Sequence, residues 1–482
     1  MSQDQKEEIE QANELKSPKS DFTNWYNQVI SAAGILDRRY NVKGCFVWLP
    51  YGYKAMMNIK AFWDKLFQEY GIKEMYFPLL VPREYASMNK GWFDGFKEEA
   101  FWAIGFGEKN PEYMLRPTGE PAIYPMFKLW TRTKSDLPIR MYETVSSFRY
   151  ETKDTRALIR DREITVWHEI HTAHATREEA DEEAKLHIKL YDKIWEHLAM
   201  VPIRVKKPDW DVFPGAVGAV EYYSIMPNGK VMENGSVNML GQAFSKAFDI
   251  TFKDERGVDQ YVWQVCTGNG ARWLAAVISI HGDDKGLVMP PSIAPIKFVI
   301  IPIFNRENQS VVISRARELH KQLSRDFGCV LDDKDEAVGR KFYEWEIKGV
   351  SIRVELGGRE IESGTCVLVR RDSGEKITVK LSDAKSEISK LLKQIQKDMY
   401  SRAKKEFEGK ISLATSIDEV KKLFSLNKVA KVNWCGGKSC WEELKKTGEG
   451  VEIFGNDLQG ARGKCVVCKK DCNEVGYVGN PY

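Results

Sequence analysis

The sequence predicts three folded parts in chain order: an α+β region, an α/β domain and a small cysteine-bearing α+β segment. In the first part, two strand-like segments, 148–151 and 160–171, flank a charged loop, as neighbouring antiparallel strands do. In the second part, the apolar run 297–303 begins an alternation of strand and helix patterns that is typical of α/β domains. In the third part, two close pairs of cysteines lie near the C-terminus.

The bulk composition limits the classes of protein to which the chain can belong. At 482 residues it is long enough for roughly two to four domains. The formal net charge is only +3, so the composition neither predicts nor excludes a nucleic-acid partner. No apolar run reaches membrane-spanning length, and residues 1–20 lack an apolar signal segment. We therefore expect a cytoplasmic protein without a membrane partner, and its scattered cysteines fit reduced thiols.

The N-terminal region predicts helices alternating with short strands. Residues 1–20 are polar and predicted to be flexible. Apolar residues recur at helical spacing over 22–36 and 53–70, and 47–50 is typical of a short strand. Segment 75–82 predicts a strand interrupted by prolines, which belongs at an edge or an interface because proline cannot donate to a central ladder. This pattern fits a dimer contact or, equally, a monomer with a proline-capped edge.

The turn at 115–121 places two polar side chains at the start of a helix predicted over 122–130. Thr118 is a suitable N-cap, and Glu120 suits the positive end of the helix dipole. A threonine and a glutamate fixed at a helix start also make a good pair for binding an amine. Both interpretations remain open at this point.

The hairpin predicted from 148 to 171 carries the densest polar pattern of the chain. Arg149 and Glu151 are two residues apart, so a strand would direct both to one face. Trp167, Glu169 and His171 share a face for the same reason. Together they predict a polar pocket with an aromatic wall. The alternative is an ion-paired face of a sheet without further function.

The segment after the hairpin is less informative. Residues 177–200 predict a helix with many surface charges, on which His187 and His197 are expected on the solvated face. Residues 203–262 alternate short strand patterns with turns.

A glycine-rich turn at 266–272 leads directly into an apolar helix predicted over 273–280. Arg272 stands at the mouth of that helix, where it and free backbone amides can approach a phosphate. The pattern alone is weak, because many glycine turns precede helices.

A proline-rich connection at 289–295 predicts a domain boundary, and 297–395 then predicts the α/β domain. Charged residues lie near its strand ends, where such domains usually bind ligands, although a solvated rim is an alternative. These residues are Asp332, Asp333, Arg340, Arg353, Glu355 and Arg359. A charged helix is predicted from 381 to 407.

The last segment carries a predicted structural zinc site. Cys435 and Cys440 form one pair and Cys465 and Cys468 form a second, and a tetrahedral ion needs four such thiolates. Cys472 is a spare that can replace a ligand. The alternative is a set of reduced free thiols.

Taken together, these stretches resemble the class II aminoacyl-tRNA synthetases. The helix into 77–80 resembles motif 1, 148–151 motif 2, and 268–272 with its following helix motif 3. Further stretches are similar to the prolyl-tRNA synthetase family of the archaeal and eukaryotic type, and the resemblance extends from Trp25 to Tyr482. They are Arg116-Pro117-Thr118-x-Glu120, Tyr124-Pro125-Met126-Phe127, Trp167-x-Glu169-x-His171, Leu240-Gly241-Gln242 and His281-Gly282-Asp283-Asp284.

The resemblance implies a domain order and a reaction. The expected parts are a class II catalytic domain with an antiparallel sheet (21–290), an α/β anticodon-binding domain (296–396) and a zinc-binding C-terminal domain (397–482). ATP, with Mg²⁺ on its phosphates, and proline are expected to form prolyl-adenylate. The prolyl group then moves to the 3′ end of tRNA(Pro). The family also implies a homodimer and no DNA partner.

The resemblance assigns roles to individual residues. Arg149 and Arg272 are expected to be catalytic through the α- and γ-phosphates, and the ATP contacts also include Glu151, Arg160 and Gln242. The expected amino-acid contacts are Thr118, Glu120, Arg149, Trp167, Glu169, His171, Asn238 and Gly270. Our expected anticodon contacts are Arg340, Arg353 and Glu355.

Several positions depart from the family pattern, and most of them surround the expected amino-acid pocket. They are Gly119, Ile170, Asn238, Thr267 and Gly270, together with Ala157 in motif 2. One alternative is therefore a divergent paralogue that activates another small or proline-like amino acid. The departures also leave open a non-catalytic tRNA-binding homologue and a ligase acting on a free small molecule, although both phosphate arginines and the anticodon-binding domain are present.

Overall fold

The computed structural model describes residues 14–482 except 153, 214, 326, 327, 447 and 449. Most of the segment predicted to be flexible, 1–20, lies outside the described residues. The last residues of this segment are described, and hydrogen bonds of Lys19 attach them to the folded region. Lys19 donates from Nζ to the carbonyl oxygen of Ile280 at 3.2 Å and from its backbone amide to Asp284 Oδ1 at 2.7 Å.

The region before residue 297 combines helices with antiparallel strands. Its described helices of five or more residues are Phe22–Ala32, Pro50–Glu69, Arg83–Ser87, Lys90–Phe96, Glu120–Trp130, Arg177–His197, Ala243–Phe248 and Arg272–His281. Its strands are β1 (Leu36–Asp37), β2 (Val47–Trp48), β3 (Lys73–Glu74), β4 (Leu80–Pro82), β5 (Phe101–Ala103), β6 (Tyr113–Leu115), β7 (Ile139–Phe148), β8 (Glu163–His174), β9 (Ile203–Lys206), β10 (Gly218–Ile225), β11 (Lys230–Gly241), β12 (Thr251–Lys253), β13 (Asp259–Tyr261) and β14 (Trp263–Asn269).

An antiparallel sheet in the order β9-β10-β11-β14-β8-β7 forms the centre of this region, and β3 joins β7 in parallel. Because successive strand residues alternate between faces, the sheet separates two apolar cores. One core holds Trp63, Tyr191 and Trp273 from helices on one face. The other holds Tyr124 and Phe127 from the helix Glu120–Trp130. Polar side chains on the second face therefore lie between the sheet and that helix.

The helix Arg177–His197 illustrates why these residues form regular elements. Thr176 caps it, since its hydroxyl accepts from the backbone amide of Glu179 at 3.2 Å and Glu179 accepts in return from the amide of Thr176. Its apolar face packs into the first core. His187 is buried there and His197 stacks on Phe62 at 3.7 Å, so the prediction that both histidines are solvated is wrong.

Some predicted element bounds need correction. β7 ends at Phe148, so Arg149 and Glu151 belong to the loop after the strand and not to the strand itself. Residues 75–79 are not a strand, and only β3 and β4 at either end are paired. The helix predicted from 53 begins at Pro50, whose fixed φ suits a first turn.

Residues 298–380 form the predicted α/β arrangement. The strands are β15 (Phe298–Ile303), β16 (Cys329–Leu331), β17 (Ile352–Gly357), β18 (Thr365–Arg370) and β19 (Lys376–Lys380). β15 pairs in parallel with β16 and β17, which explains its continuous apolar sequence, and β18 and β19 add antiparallel neighbours. The helices are Gln309–Leu323, Val338–Lys348 and Gly358–Glu362. Arg371 joins this domain to the preceding one by two bonds of 2.7 and 2.6 Å to Asp283.

The C-terminal region extends the first sheet. Its helices are Ala384–Gly409, Ile417–Ser425 and Lys438–Lys445, and its strands are β20 (Ile411–Leu413), β21 (Val429–Trp434), β22 (Glu452–Asp457), β23 (Gly463–Lys464), β24 (Asp471–Cys472) and β25 (Glu474–Pro481). β22 pairs with β9 and β25 pairs with β11, so the two regions share one sheet. In the described part of the chain, every helix is too short or too polar to cross a membrane.

Candidate active site

A cavity of about 200 Å³ opens on the face of the sheet that carries the predicted hairpin residues. β8 presents Trp167, Glu169 and His171 on this face, as their spacing predicts. β14, antiparallel to β8, presents Cys266 and Gly268 beside them, with Cys266 directly opposite His171. The cavity is therefore built on two central strands whose positions are fixed by pairing on both sides.

At the deep end of this cavity, Glu169 makes hydrogen bonds to several neighbouring residues. Its Oε1 accepts from the Thr118 hydroxyl at 2.7 Å and from the Trp167 indole, and its Oε2 accepts from the Gly119 amide at 2.6 Å. His171 Nε2 lies 3.1 Å from Oε2. Burial alone would raise the pKa of Glu169, but the hydrogen bond and charge of His171 lower this pKa to about 2. Thr118 is thus a partner of Glu169, and the N-cap of the helix is Gly119.

Glu120 and His171 form a second pair of ionisable groups in the same place. Burial raises the pKa of Glu120, and the charge of Glu169 raises it further. Burial opposes protonation of His171, but the hydrogen bond and charge of Glu169 raise its pKa overall. The second ring nitrogen, Nδ1, lies 2.9 Å from the Tyr124 hydroxyl. The deep end therefore brings together Glu169, whose pKa is lowered, and His171, whose pKa is raised, next to the carboxyl group of Glu120.

A fully buried ion pair lies next to Glu169, on the neighbouring strand β7. Arg116 Nη1 donates to Glu143 Oε1 at 2.7 Å, and neither side chain has exposed surface. Glu143 lies directly opposite Glu169 in the β7–β8 register, where two carboxylates would repel each other. Burial raises the pKa of Glu143 to about 7, although the charge of Arg116 opposes this shift. The arginine thus makes it possible for two acids to face each other inside the protein.

The opposite end of the cavity is cationic. Arg149 lies between the rings of Trp167 and Phe96, each 5.5 Å from its guanidinium, and donates to the carbonyl oxygen of Pro117 at 3.3 Å. Burial, together with the charge of Arg272, lowers the pKa of Arg149. Arg272 begins the helix that follows β14 and donates to the carbonyl oxygen of Ile159 at 2.9 Å. Two arginines that are oriented by rings and backbone carbonyls are suited to bind phosphates.

Glu151 and Arg160 line the rim of the same cavity. Arg160 Nη2 donates to the carbonyl oxygen of Tyr482 at 2.6 Å, so the end of the described chain packs beside this rim. The Tyr482 ring also lies under the guanidinium of Arg156 at 4.9 Å.

Most of the residues predicted to bind ATP or the amino acid meet in this cavity, with one exception. Thr118, Glu120, Arg149, Glu151, Arg160, Trp167, Glu169, His171, Asn238, Gly270 and Arg272 all line it. Gln242 lies outside its described lining, and its side-chain amide donates to the carbonyl oxygen of Tyr261 at 2.9 Å. The expected nucleotide contact of Gln242 stays a prediction, and this bond joins the residue before the helix Ala243–Phe248 to β13.

Sequence reasoning missed several lining residues. They are Phe96, Asp161, Phe213, Glu221, Glu233, Ser236 and Cys266. Glu221 and Glu233 come from the paired strands β10 and β11, and only this pairing brings them to the cavity. Cys266 had a usable signal, since it alternates with Gly268 on β14 and so shares its face.

The positions that depart from the family pattern do not all lie in the pocket. Gly270 lines it, and Gly119 lies between the lining residues Thr118 and Glu120, where a Cβ atom would be 2.2 Å from Glu169 Oε2. Asn238 lines the cavity and donates to the Ser236 hydroxyl at 2.9 Å. Ile170 is buried in the core on the opposite face of the sheet.

Thr267 also lines the cavity. Its hydroxyl lies 2.7 Å from Nδ1 of the buried His187.

The four predicted zinc ligands converge in the C-terminal region. The sulfur atoms of Cys435, Cys440, Cys465 and Cys468 all lie within 4.8 Å of one another. Backbone amides, led by that of Cys468, lower the pKa of Cys465 despite its burial. Four thiols at this separation fit a tetrahedral zinc ion.

Cys472 lies outside this group of four. Its thiol donates to the carbonyl oxygen of Gly463 at 3.5 Å.

The predicted anticodon residues all lie in the α/β domain, on β17 and on the helix Val338–Lys348. Arg353 and Glu355 bond to each other at 2.9 Å on β17, and the Arg353 guanidinium covers the Phe342 ring at 3.8 Å. Arg340 lies on the helix that carries Phe342 and is exposed, 3.7 Å from Glu336. Asp332 is different, because it is buried and accepts from the Trp345 indole at 2.7 Å.

Comparison with known proteins agrees with this architecture. The family described as the tRNA synthetase class II core domain (G, H, P, S and T) matches residues 101–281, and the anticodon binding domain matches residues 297–391. The chain is 40% identical over 478 residues to a proline–tRNA ligase of Pyrococcus abyssi, covering 97% of this chain and 100% of that protein. It is 39% identical over 448 residues to a proline–tRNA ligase of Methanopyrus kandleri, covering 92% and 91%.

A solved structure gives the same result in three dimensions. Giardia lamblia prolyl-tRNA synthetase in complex with prolyl-adenylate superposes with a TM-score of 0.92 at 31% identity, over 97% of this chain and 99% of that one. Since two full-length relatives and the complete fold agree, the chain belongs to the prolyl-tRNA synthetases (proline–tRNA ligases), a family of class II aminoacyl-tRNA ligases.

Proposed function

We propose that this protein activates proline with ATP to form prolyl-adenylate and transfers the prolyl group to the 3′ end of tRNA(Pro). The observation that carries this proposal is the polarity of the cavity. Arg149 and Arg272 form a cationic end, and Glu120, Glu169 and His171 form a buried acidic end of the same cavity. An amino acid placed between them directs its ammonium group to the acids and its carboxylate to the α-phosphate.

The residues are assigned to positioning and charge stabilisation, since the reaction needs little covalent help from side chains. Arg149 is proposed to hold the α-phosphate, where charge grows during attack by the carboxylate. Arg272 is proposed to hold the γ-phosphate, and Glu151 to accept from the adenine amino group, with Arg160 beside it. Mg²⁺ is proposed to bridge the phosphate oxygens.

The amino-acid end is assigned to the deep part of the cavity. Thr118 and Glu120 are proposed to receive the substrate amine, and Trp167 to form the wall beside Gly270. Glu169 and His171 hold this frame through the bonds described above. Apart from its amine, the proline ring offers no hydrogen-bonding group and must be selected largely by shape, and Asn238 is proposed to complete that shape.

The rest of the chain is assigned to tRNA binding and assembly. Arg340, Arg353 and Glu355 are proposed to contact the anticodon, and the four cysteines to hold a structural Zn²⁺. A homodimer through the motif 1 region is supported by the exposed Tyr76 and Leu80 beside β4. We place the protein in the cytoplasm.

The proposed domain limits are 21–290, 296–396 and 397–482. The helix Ala384–Gly409 continues across the last limit. It therefore joins the second and third domains.

Amino-acid-dependent exchange between ATP and pyrophosphate tests the proposal, using the twenty standard amino acids, hydroxyproline and thiaproline, with and without tRNA. Exchange strongest with proline supports it. Exchange with another amino acid would favour a divergent paralogue whose specificity follows Gly119, Asn238 and Gly270. The absence of exchange with every one of them would favour a tRNA-binding homologue.

A further inference from the structure

A second set of metal-binding groups lies in the deep end of the active-site cavity. Glu120, His171 and Cys266 each offer one donor atom, these atoms all lie within 4.8 Å of one another, and all three residues are buried. Carboxylate, imidazole and thiolate together are donors that Zn²⁺ prefers. Nothing in the proposed chemistry uses the thiol.

The backbone fixes this arrangement. Cys266 and His171 are directly opposite each other on the paired strands β14 and β8, and Glu120 begins the helix that covers the same face. The Cys266 sulfur lies 3.9 Å from Glu120 Oε1. Ligand atoms around a tetrahedral zinc are about 3.3–3.8 Å apart, so movements of a few tenths of an ångström around this pair suffice.

An unpartnered oxygen points to a missing cation. Glu120 is 1% exposed, and its Oε2 has no hydrogen-bond partner among the described residues. Glu169, by contrast, has donors on both oxygens and serves to orient His171. A histidine held by a carboxylate through one ring nitrogen is the usual arrangement around a protein-bound metal. The second nitrogen, Nδ1, lies 2.9 Å from the Tyr124 hydroxyl, which a metal bound to that nitrogen must displace.

We propose that Glu120, His171 and Cys266 bind one Zn²⁺ in the amino-acid pocket, in competition with the substrate ammonium group. Binding of the metal releases the proton of the Cys266 thiol and any proton on the His171 nitrogen that becomes a ligand. The metal also takes the oxygen of Glu120 that the amine would use. Three protein ligands leave a fourth position for water. The proposed competition with the substrate ammonium group rests on the proposed function, because that function assigns this end of the cavity to the amine.

The test is metal binding by the full-length protein, measured with Zn²⁺ by elemental analysis after dialysis and with Co²⁺ by thiolate-to-cobalt absorption. The expected stoichiometry is two metals per chain: one in the four-cysteine site and one in the pocket. Cys266→Ser is expected to weaken the second site by about 100-fold and leave the first intact. The matched control is Cys366→Ser, which removes a buried thiol from β18 and should retain two metals.

Two further measurements keep the proposal falsifiable if Cys266→Ser folds poorly. Glu120→Gln is expected to lose the same metal, and saturating the wild-type protein with the amino acid that supports exchange is expected to displace it. One metal per chain under all conditions would overturn the proposal, as would a second metal retained in Cys266→Ser or bound together with the amino acid. An exchange assay on the same preparation separates the two ideas: exchange with proline alongside a single metal defeats only the zinc site.

Discussion

At the residue scale, Arg149 is the side chain on which adenylate formation should depend most. Arg149→Ala removes the cation that lies between Trp167 and Phe96 at the phosphate end. We expect pyrophosphate exchange to fall by at least about 10²–10³-fold, because a preorganised charge is lost where charge develops. Circular dichroism should remain unchanged. Arg256→Ala, at an exposed turn, is the control, and exchange at the wild-type rate in Arg149→Ala would disprove this role.

Gly119 is expected to be irreplaceable because of its neighbours and not because of its backbone angles. A Cβ atom there would lie 2.2 Å from Glu169 Oε2 and 2.7 Å from Ile123 Cδ1. Gly119→Ala should therefore displace Glu169, raise the KM for the amino acid by about 10- to 100-fold and destabilise the fold by about 1–3 kcal/mol. Steady-state exchange and urea unfolding measure both. Gly91→Ala, whose nearest neighbour would be 3.6 Å away, is the control for KM.

Glu120 should give amino-acid binding a pH dependence. Burial and the charge of Glu169 raise its pKa, so the carboxyl group takes up a proton at a higher pH than an exposed glutamate does. The substrate ammonium pairs only with the ionised form, so KM for the amino acid should increase as the pH falls through this raised pKa. Glu120→Gln should raise KM and remove the dependence. A KM–pH profile of the same slope in both proteins would exclude Glu120 as the titrating group.

At the scale of the elements, an ion pair between Arg116, which follows β6, and Glu143 of β7 compensates the two acids that face each other across β7 and β8. Arg116→Met would leave Glu143 buried without a cation, and its folded-state pKa would rise further above the unfolded value. A raised carboxyl pKa contributes stability below the unfolded pKa, and this contribution is lost as the pH increases through the folded pKa. We therefore expect a cost of about 3–5 kcal/mol at pH 8 and a smaller one at pH 5. Urea unfolding at both pH values measures it.

The control for this variant is Arg359→Met, at an exposed position of the α/β domain. Equal destabilisation by Arg116→Met at pH 5 and pH 8 would show that Glu143 does not titrate in this range. The pair also explains why a sheet face with buried acids is stable: Arg116 and His171 supply the compensating charges.

At the scale of the whole molecule, the C-terminal region is tied to the catalytic sheet. β25 pairs with β21, β22 and β11, and Tyr482 follows it to reach Arg160 at the cavity rim. Replacing Cys465 and Cys468 by serine should remove the zinc of the four-cysteine site and lower the Tm. It should also raise the KM for ATP, because the strand that positions Tyr482 loses its support. Elemental analysis, thermal unfolding and exchange assays measure the three effects.

The matched control for the zinc variant is Cys329→Ser, whose thiol lies in β16 of the α/β domain. It should keep the metal and the KM for ATP. Freshly purified wild-type protein without any metal would contradict the zinc assignment. Loss of zinc with an unchanged KM for ATP would show that the C-terminal strand holds Tyr482 without metal.

Much of this arrangement could be read from local patterns. Trp167, Glu169 and His171 share a face because a strand alternates, and the close spacing within each cysteine pair predicted the group of four. The apolar run 297–303 correctly predicted a strand with parallel neighbours on both sides. The errors concern side chains whose partners are distant in sequence. His187 appeared solvated because its helix is highly charged, whereas Thr267, 80 residues away, holds it inside.

The sequence by itself determined the family, the order of the catalytic core and the anticodon-binding domain, and many of the residues around the cavity. These follow from short-range periodicity and from motifs whose spacing the backbone fixes. Only the tertiary structure decided that Thr118 binds Glu169 instead of capping a helix and that the Gln242 amide donates to Tyr261. It alone brought Cys266 to Glu120 and His171. Each of these outcomes depends on strand pairing and burial, because hydrogen-bond partners inside a protein are chosen by proximity across the sheet and not along the chain.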